Sequence, residues 1–217
     1  MSIKEQEAQL FSEWRARHQS LVSDGVVDEF AYAETSPKLL FVLKEVNDLG
    51  GGGWDLRAYL RDEGGRPATW DNVTRWVEGI RNLPSDIPWQ MLESIDVDRR
   101  KAALRSIAVM NIKKVPGGHT ANPDEIAAAA ETDQQFLLRQ YELYRPDLTI
   151  CCGTAEAFQA IQAFGSEPKW QSTQRGVWYY SPEPEKHVIA YSHPLARCAP
   201  PLLYYGLIDA VREILAR

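Results

Sequence analysis

The sequence predicts an α/β fold: a three-layer αβα sandwich around a central four-stranded, mostly parallel sheet. Four short apolar segments have the length of strands, at 39–43, 106–111, 148–152 and 187–191, and helical segments separate them. The first of these segments, LLFVL, is apolar without interruption, which is typical of a strand that is buried on both faces of a parallel sheet. Each segment ends in a polar residue or is followed directly by a polar residue or glycine, as expected where strands end near a ligand crevice.

The length and composition fit one soluble domain. A chain of 217 residues with 44% hydrophobic and 25% charged residues can bury a full core, so we expect a single domain over 1–217 with an N-terminal helical extension at about 1–36. No apolar run has the length of a membrane span, and the first residues lack a signal-peptide pattern. We therefore expect a cytoplasmic monomer with no membrane partner. The net charge of −6 argues only weakly against nucleic acid, because local basic clusters still bind phosphates.

The remaining elements follow from periodicity and from capping signals. Apolar residues at helical spacing predict an amphipathic helix over 3–22, and 25–38 reads as an irregular connection. The alternating segment Val177–Tyr180 predicts an edge strand or hairpin. Further helices are predicted from Trp54 to Leu60, from Thr69 (as N-cap) to Leu83, from Asp96 or Asp98 to Ser106, from Asn122 to about Tyr144, from Thr154 to Phe164, and after Pro200–Pro201.

The cysteines predict neither a disulfide framework nor a metal site. Cys151 and Cys152 lie inside an apolar strand and read as small core residues, and Cys198 stands alone. We therefore expect no metal and no cofactor.

Polar side chains stand at the ends of three predicted strands. Glu45, Asn47 and Asp48 follow the first strand, Asn111 ends the second, and His193 follows the last. Because the carboxyl ends of parallel strands share one edge, these groups are expected to face one pocket. A carboxylate can orient water, an amide can read the edge of a planar heterocycle, and an imidazole can donate to an oxygen that becomes negative.

Each of these residues also has a purely structural interpretation. Asn111 could cap a strand, His193 could be a satisfied structural histidine, and Glu45 could pair with Lys44 or Arg105. Three such residues at three strand ends together favour a site.

Several segments resemble the uracil-DNA glycosylase superfamily, whose fold is a four-stranded parallel sheet between helices. The segments are VMNIKKVPGG, ANPDEI, YRPDLTICCGTAEAF, Gln174–Gly176 and Tyr191–Pro194, and the resemblance covers roughly 38–198. Three departures stand out. Leu43 and Val46 replace the Gly and Pro of the first motif, Leu195 replaces a Ser, and the four cysteines of the iron–sulfur branches are absent.

The resemblance implies roles for individual residues. Glu45 and His193 would be catalytic, Glu45 by orienting water and His193 by stabilising the departing base. Three residues would bind the base: Asn111 would read its edge, Trp70 would stack on it, and Asn47 would also contact it. Phosphates of the DNA would be held by Lys113, Lys114, Arg197 and the backbone amides of Gly51 and Gly52.

The sequence therefore predicts a DNA glycosylase of base excision repair. It would hydrolyse the N-glycosidic bond of uracil or a related damaged base, in single- or double-stranded DNA, after flipping the nucleotide out of the stack. Two alternatives stay open: a catalytically degenerate nucleic-acid-binding protein on the same fold, and a hydrolase that acts on free nucleosides or nucleotides.

Overall fold

The computed structural model describes residues 1–48, 50–162 and 168–216 of an α/β protein. Leu49, in the glycine-rich loop, and Phe164, the predicted last residue of a helix, lie outside the described residues. In chain order the elements are α1 (Ile3–Arg15), β1 (Gly25–Val26), α2 (Glu29–Glu34), β2 (Leu39–Leu43), α3 (Leu56–Glu63), α4 (Pro67–Asn82), α5 (Trp89–Leu92), α6 (Val97–Arg105), β3 (Ile107–Asn111), α7 (Pro123–Thr132), α8 (Gln134–Tyr144), β4 (Leu148–Cys152), α9 (Ala155–Ile161), β5 (Gln171–Ser172), β6 (Trp178–Glu183), β7 (Lys186–Tyr191) and α10 (Pro200–Leu215).

The strands form one sheet in the order β1-β3-β2-β4-β7-β6-β5. The four strands that the sequence predicts, β3, β2, β4 and β7, are adjacent and parallel to one another. The predicted strand count of four is wrong, because the described sheet has seven strands. The additions pair antiparallel at the two edges, and β1 and β5 are only two residues long, too short to leave a periodic pattern.

Both faces of the sheet are covered by helices, as the unbroken apolar run of β2 predicts. Leu39, Phe41 and Leu43 pack into one core with residues of α3, α4, α6 and α10. Leu40 and Val42 point to the other face and pack with residues of α1, α7, α8 and α9. Successive side chains along this single strand therefore contribute alternately to two separate cores. Within the described ranges, no helix has both the length and the apolar character needed to cross a bilayer.

The first 36 residues are part of the core and not an appendage to it. α1 ends at Arg15, earlier than predicted, and its buried residues Leu10, Phe11 and Trp14 belong to the core on the second face. The segment predicted as an irregular connection contains β1 and α2.

Two further helix predictions differ from the structure. The predicted helix from Asn122 to Tyr144 is divided at Asp133 into α7 and α8, although Asn122 does cap the first of them by accepting from the Asp124 amide. α4 begins at Pro67 with Arg66 as its N-cap, so Thr69 lies inside the helix and does not cap it. Proline is favoured in the first turn, since its missing N–H has no partner there in any case.

A buried polar network joins β1, β3 and the second face. The Lys114 ammonium donates to both oxygens of Asp24, at 2.7 and 2.9 Å, and to the Gln140 side-chain oxygen at 2.8 Å. Lys114, Asp24 and Gln140 are all fully buried. The Gln140 amide donates in turn to Asp24 and to the Tyr144 hydroxyl, both at 2.7 Å. The ammonium also lies 5.0 Å from the Trp14 ring, so a cation–π contact adds to the ion pair.

We predict that the substitution Lys114→Met strongly destabilises the fold. Methionine preserves the packing against Trp14 but leaves Asp24 as a buried carboxylate without its cation, which costs about 3–5 kcal/mol of the free energy of unfolding. Urea denaturation followed by circular dichroism measures this loss.

Two further variants test the cause of that loss. Adding Asp24→Asn to Lys114→Met should recover part of the lost stability, because the unpaired charge is then removed. The exposed Lys4, changed to Met, is the matched control and should unfold at the wild-type urea concentration. A Lys114→Met protein as stable as the wild type would contradict the prediction.

Candidate active site at the carboxyl ends of the strands

The carboxyl ends of β3, β2, β4 and β7 lie in this order along one edge of the sheet, here called the rim. Pairing between β2 and β3 continues past the strand ends, since the Ile112 amide donates to the Leu43 carbonyl and the Lys113 amide to the Lys44 carbonyl, each at 2.9 Å. A short bridge between Asn47 and Gly117 extends the pairing further. The two loops therefore leave the sheet side by side, which fixes the side chains that follow each strand.

Glu45 is held on the rim by an ion pair and by a close backbone contact. Its side chain is 5% exposed and accepts from the Lys113 ammonium at 2.8 Å. Lys113 also pairs with Glu125 at 2.5 Å. Desolvation lowers the pKa of Lys113, but hydrogen bonds to Glu125 and Glu45 outweigh it and raise the pKa overall, so the ammonium stays charged. A Cβ on Gly117 would lie 2.1 Å from the Glu45 carboxyl, so any larger residue at this position would displace the carboxylate from where it now lies.

His193 is half-buried on the rim, and its tautomer follows from its hydrogen bond. The Leu195 amide donates to Nδ1 at 3.1 Å, which makes Nδ1 an acceptor and places the proton of the neutral ring on Nε2. Desolvation and the nearby charge of Lys44 lower the pKa of His193 below its ordinary 6.5, so the neutral ring is favoured. The Asn72 amide of α4 donates to the Pro194 carbonyl at 2.8 Å and anchors the chain beside the ring.

Lys44 is a rim residue that the sequence-predicted site omits. It follows β2 directly, and its Cε lies 3.7 Å from the place that a Cβ on Gly153 would take, so the side chain extends toward the end of β4. No carboxylate of the described ranges lies within 4.0 Å of its ammonium. The sequence offered Lys44 as a partner of Glu45, but the structure pairs Glu45 with Lys113. Which of two lysines pairs cannot be read from spacing alone.

Asn111 lies at the predicted strand end, but its side chain turns away from the rim. It is 2% exposed, and both its backbone amide and its side-chain amide donate to Asp24, at 2.8 and 3.2 Å. β2 and β4 separate it from β7, the strand that precedes His193. Three inter-strand spacings amount to about 14 Å between the two backbones. In this structure the amide of Asn111 is therefore a structural donor.

Trp70 is a core residue and has no face open to a flipped base. It is 5% exposed and packs in the core of the first face. A Cβ on Gly65 would lie 2.3 Å from its indole, which shows how closely the backbone covers the ring. The stacking role that the resemblance implies needs an accessible ring, so this placement corrects the assignment.

Most of the predicted phosphate contacts are already engaged within the chain. Lys114 is completely buried against Asp24 and cannot reach DNA. The Gly51 and Gly52 amides donate to Asp48, to its carbonyl at 3.3 Å and to its carboxylate at 3.2 Å, so they do not form an open phosphate cradle. Lys113 is paired with two carboxylates.

The remaining predicted contacts are accessible. Asn47 is exposed beside Gly117. Arg197 is exposed in the loop after His193, next to the exposed thiol of Cys198, whereas Cys151 and Cys152 are buried in β4 as the sequence predicts.

A groove of about 710 Å³ lies at the opposite, amino-terminal end of the sheet. Arg81, which lines it, donates to the Ser106 carbonyl at 2.8 Å just before β3. No residue of the sequence-predicted site lines this groove. The predicted site residues on the rim and this groove therefore lie at opposite ends of the sheet.

Comparison with protein-family models and with curated proteins found no match to this chain. Over the described ranges, no three side chains among His, Cys, Asp and Glu are grouped closely enough to hold a metal ion. The assignment of the rim therefore depends on its own geometry.

We predict that the substitution Lys44→Met raises the pKa of His193, because one of the two causes that depress it is removed. Titration of the imidazole by ¹H–¹⁵N NMR measures the value in both proteins, and the exposed Lys4→Met variant is the control. Since the folded pKa is below 6.5, the histidine's contribution to stability is present above that pH and is lost as the pH falls through the folded value. An unchanged pKa in Lys44→Met would show that the ammonium is too far away to act.

Proposed function

We propose that this chain hydrolyses the N-glycosidic bond of uracil or a related damaged base in DNA. The observation that carries the proposal is that the Glu45 carboxylate and the Nε2–H of His193 both follow strands that end on the same rim. β4 alone separates the strands that position them, which is about 10 Å between backbones and leaves room for a flat ring. The four parallel strands β3, β2, β4 and β7 would correspond to the sheet of the uracil-DNA glycosylase superfamily that the sequence resembles.

Glu45 serves the sugar side of the reaction. As the glycosidic bond lengthens, the sugar gains positive charge, and a carboxylate stabilises that charge and orients the attacking water. Lys113 is shared between Glu45 and Glu125, so this group of two carboxylates and one ammonium keeps a net negative charge. The lysine therefore fixes the position of Glu45 without cancelling its role.

His193 serves the base side. Its Nε2–H is free to donate to an oxygen of the base, because the Leu195 amide already occupies Nδ1. A donor that is held in place before the reaction needs no reorganisation as negative charge develops, which is why such groups accelerate bond cleavage. Its lowered pKa keeps the ring neutral near pH 7, when it donates from Nε2 only.

Asn111, which the sequence predicts to recognise the base, is not given that role in this proposal. The Asn111 amide is bound to Asp24, so Asn111 fixes the end of β3 and does not read the base in this arrangement. The exposed Arg197 is the predicted phosphate contact that remains accessible. The partner is DNA, single- or double-stranded, and the protein acts as a monomer in the cytoplasm under this proposal.

We predict that Glu45→Gln lowers the rate of base release by about 10²–10⁴, because the charge is lost while the size is kept. The assay measures free uracil released from a uracil-containing oligonucleotide under single-turnover conditions. The exposed Glu142→Gln variant is the control and should match the wild type. Wild-type activity in Glu45→Gln would remove the site assignment, and release only from free nucleosides would move the substrate away from DNA.

We also predict that Gly117→Ala lowers the same rate without removing any catalytic group. The new Cβ would lie 2.1 Å from the Glu45 carboxyl and must displace it. Gly50→Ala is the matched control, since a Cβ there meets no atom within 4 Å. Equal activity in both variants would mean that the position of Glu45 does not matter for catalysis.

A second candidate function is favoured by the same contacts. Glu45 is paired with Lys113, and Asn111 is turned toward Asp24, as expected of a nucleic-acid-binding protein that has lost catalysis. Salt-dependent retardation of DNA in a gel, with no base released from any modified oligonucleotide, would support this reading over the first.

A further inference from the structure

The rim has two halves of opposite charge. At the ends of β2 and β3, Glu45 and Glu125 share the single ammonium of Lys113, so this half is negative. Toward β4 and β7, Lys44 and the exposed Arg197 carry positive charge, and His193 is held neutral. Fixed charges of opposite sign on one edge act most strongly on a reaction that separates charge in the same direction.

On the positive half, the half-buried Lys44 has no counter-ion among the described residues. Its side chain extends over Gly153, where the absence of a Cβ leaves the approach open, and Gly153 is tied to the last strand by a 2.8 Å hydrogen bond to the Tyr191 carbonyl. The end of the Lys44 side chain therefore lies near the end of β4, the strand between β2, which Glu45 follows, and β7, which His193 follows. When a half-buried cation without a partner binds an anion, the gain in electrostatic free energy is larger than for a cation that already has an ion-pair partner.

We propose that Lys44 is a catalytic residue that, together with the Nε2–H of His193, binds the oxygen that becomes negative on the departing base. This inference rests on the proposed function and narrows its substrate class to bases that leave as anions. Alkylated purines, which carry positive charge, would be repelled by the same ammonium.

The reaction balances with these groups. The C1′–N bond breaks, and its electron pair leaves with the base, whose oxygen is held by Lys44 and His193. The water oxygen bonds to C1′, and its proton passes to the Glu45 carboxylate and then to solvent. The released base anion takes up one proton from water, so the net change is addition of one water across the bond.

The test varies the leaving group. Single-turnover release is measured from oligonucleotides that carry uracil or 5-fluorouracil, whose fluorine stabilises the anion by itself. Lys44→Met should lower the uracil rate by about 10²–10³ and the 5-fluorouracil rate by clearly less. Lys44→Arg, which keeps the charge, should restore part of the uracil rate, and the exposed Lys4→Met should match the wild type.

An equal loss for both bases would overturn the proposal, because it would show that Lys44 does not act on the leaving group. Lys44 makes no described hydrogen bond or ion pair that the substitution would break, so the variant is expected to fold; circular dichroism checks this.

A second measurement separates this inference from the proposed function. If the wild type releases neither base, the proposed function fails, and inorganic phosphate then tests the anion site directly. A saturable shift of the His193 NMR signals with phosphate in the wild type, absent in Lys44→Met, supports the site. Signals that phosphate leaves unchanged in the wild type overturn it.

Discussion

The ion pair between Lys114 and Asp24 is the interaction on which the rest of this structure depends. Both groups are fully buried, and desolvation lowers the pKa of Lys114 despite the attraction of Asp24. Removing two charges from water costs several kcal/mol for each, so the pair is tolerable only because Gln140 and the Trp14 ring complete its contacts. The pair joins the segment before β1 to the segment after β3 and to α8. It therefore sets where the loop after β3 begins.

The position of the rim follows from that anchoring. Asp24 also binds the backbone of Asn111, the last residue of β3, so the strand ends at a fixed point. Pairing of the next two residues with the end of β2 then places Lys113 beside Glu45. Hydrogen bonds in the core thus fix where each strand ends. The strand that each charged side chain follows then determines on which half of the rim that charge lies. The positions at which these loops leave the sheet are therefore set by the strands and by the core contacts at their ends.

The central strands could be predicted because their signal is local. Short apolar segments between helical segments predict β2, β3, β4 and β7, and in β2 the apolar run is unbroken over five residues, which indicates burial on both faces. The edge strand β1, with two residues, leaves no such signal, and Asp24 next to it captures the side chain of Asn111. For that reason the amide that sequence reasoning placed in the site lies in the core. Trp70 shares a helix face with core residues, so its periodicity indicates burial at least as well as a binding role.

The distribution of the three thiols has a practical consequence. Cys151 and Cys152 are buried in β4, where desolvation raises the pKa of each well above its ordinary value, so neither forms the thiolate that reacts with alkylating reagents. Cys198 is exposed in the loop that follows His193 and leads into α10. A maleimide dye should therefore attach at this one position of the unaltered protein, next to the rim. A change in the fluorescence of the dye would then report ligand binding at the rim, and no cysteine would have to be introduced.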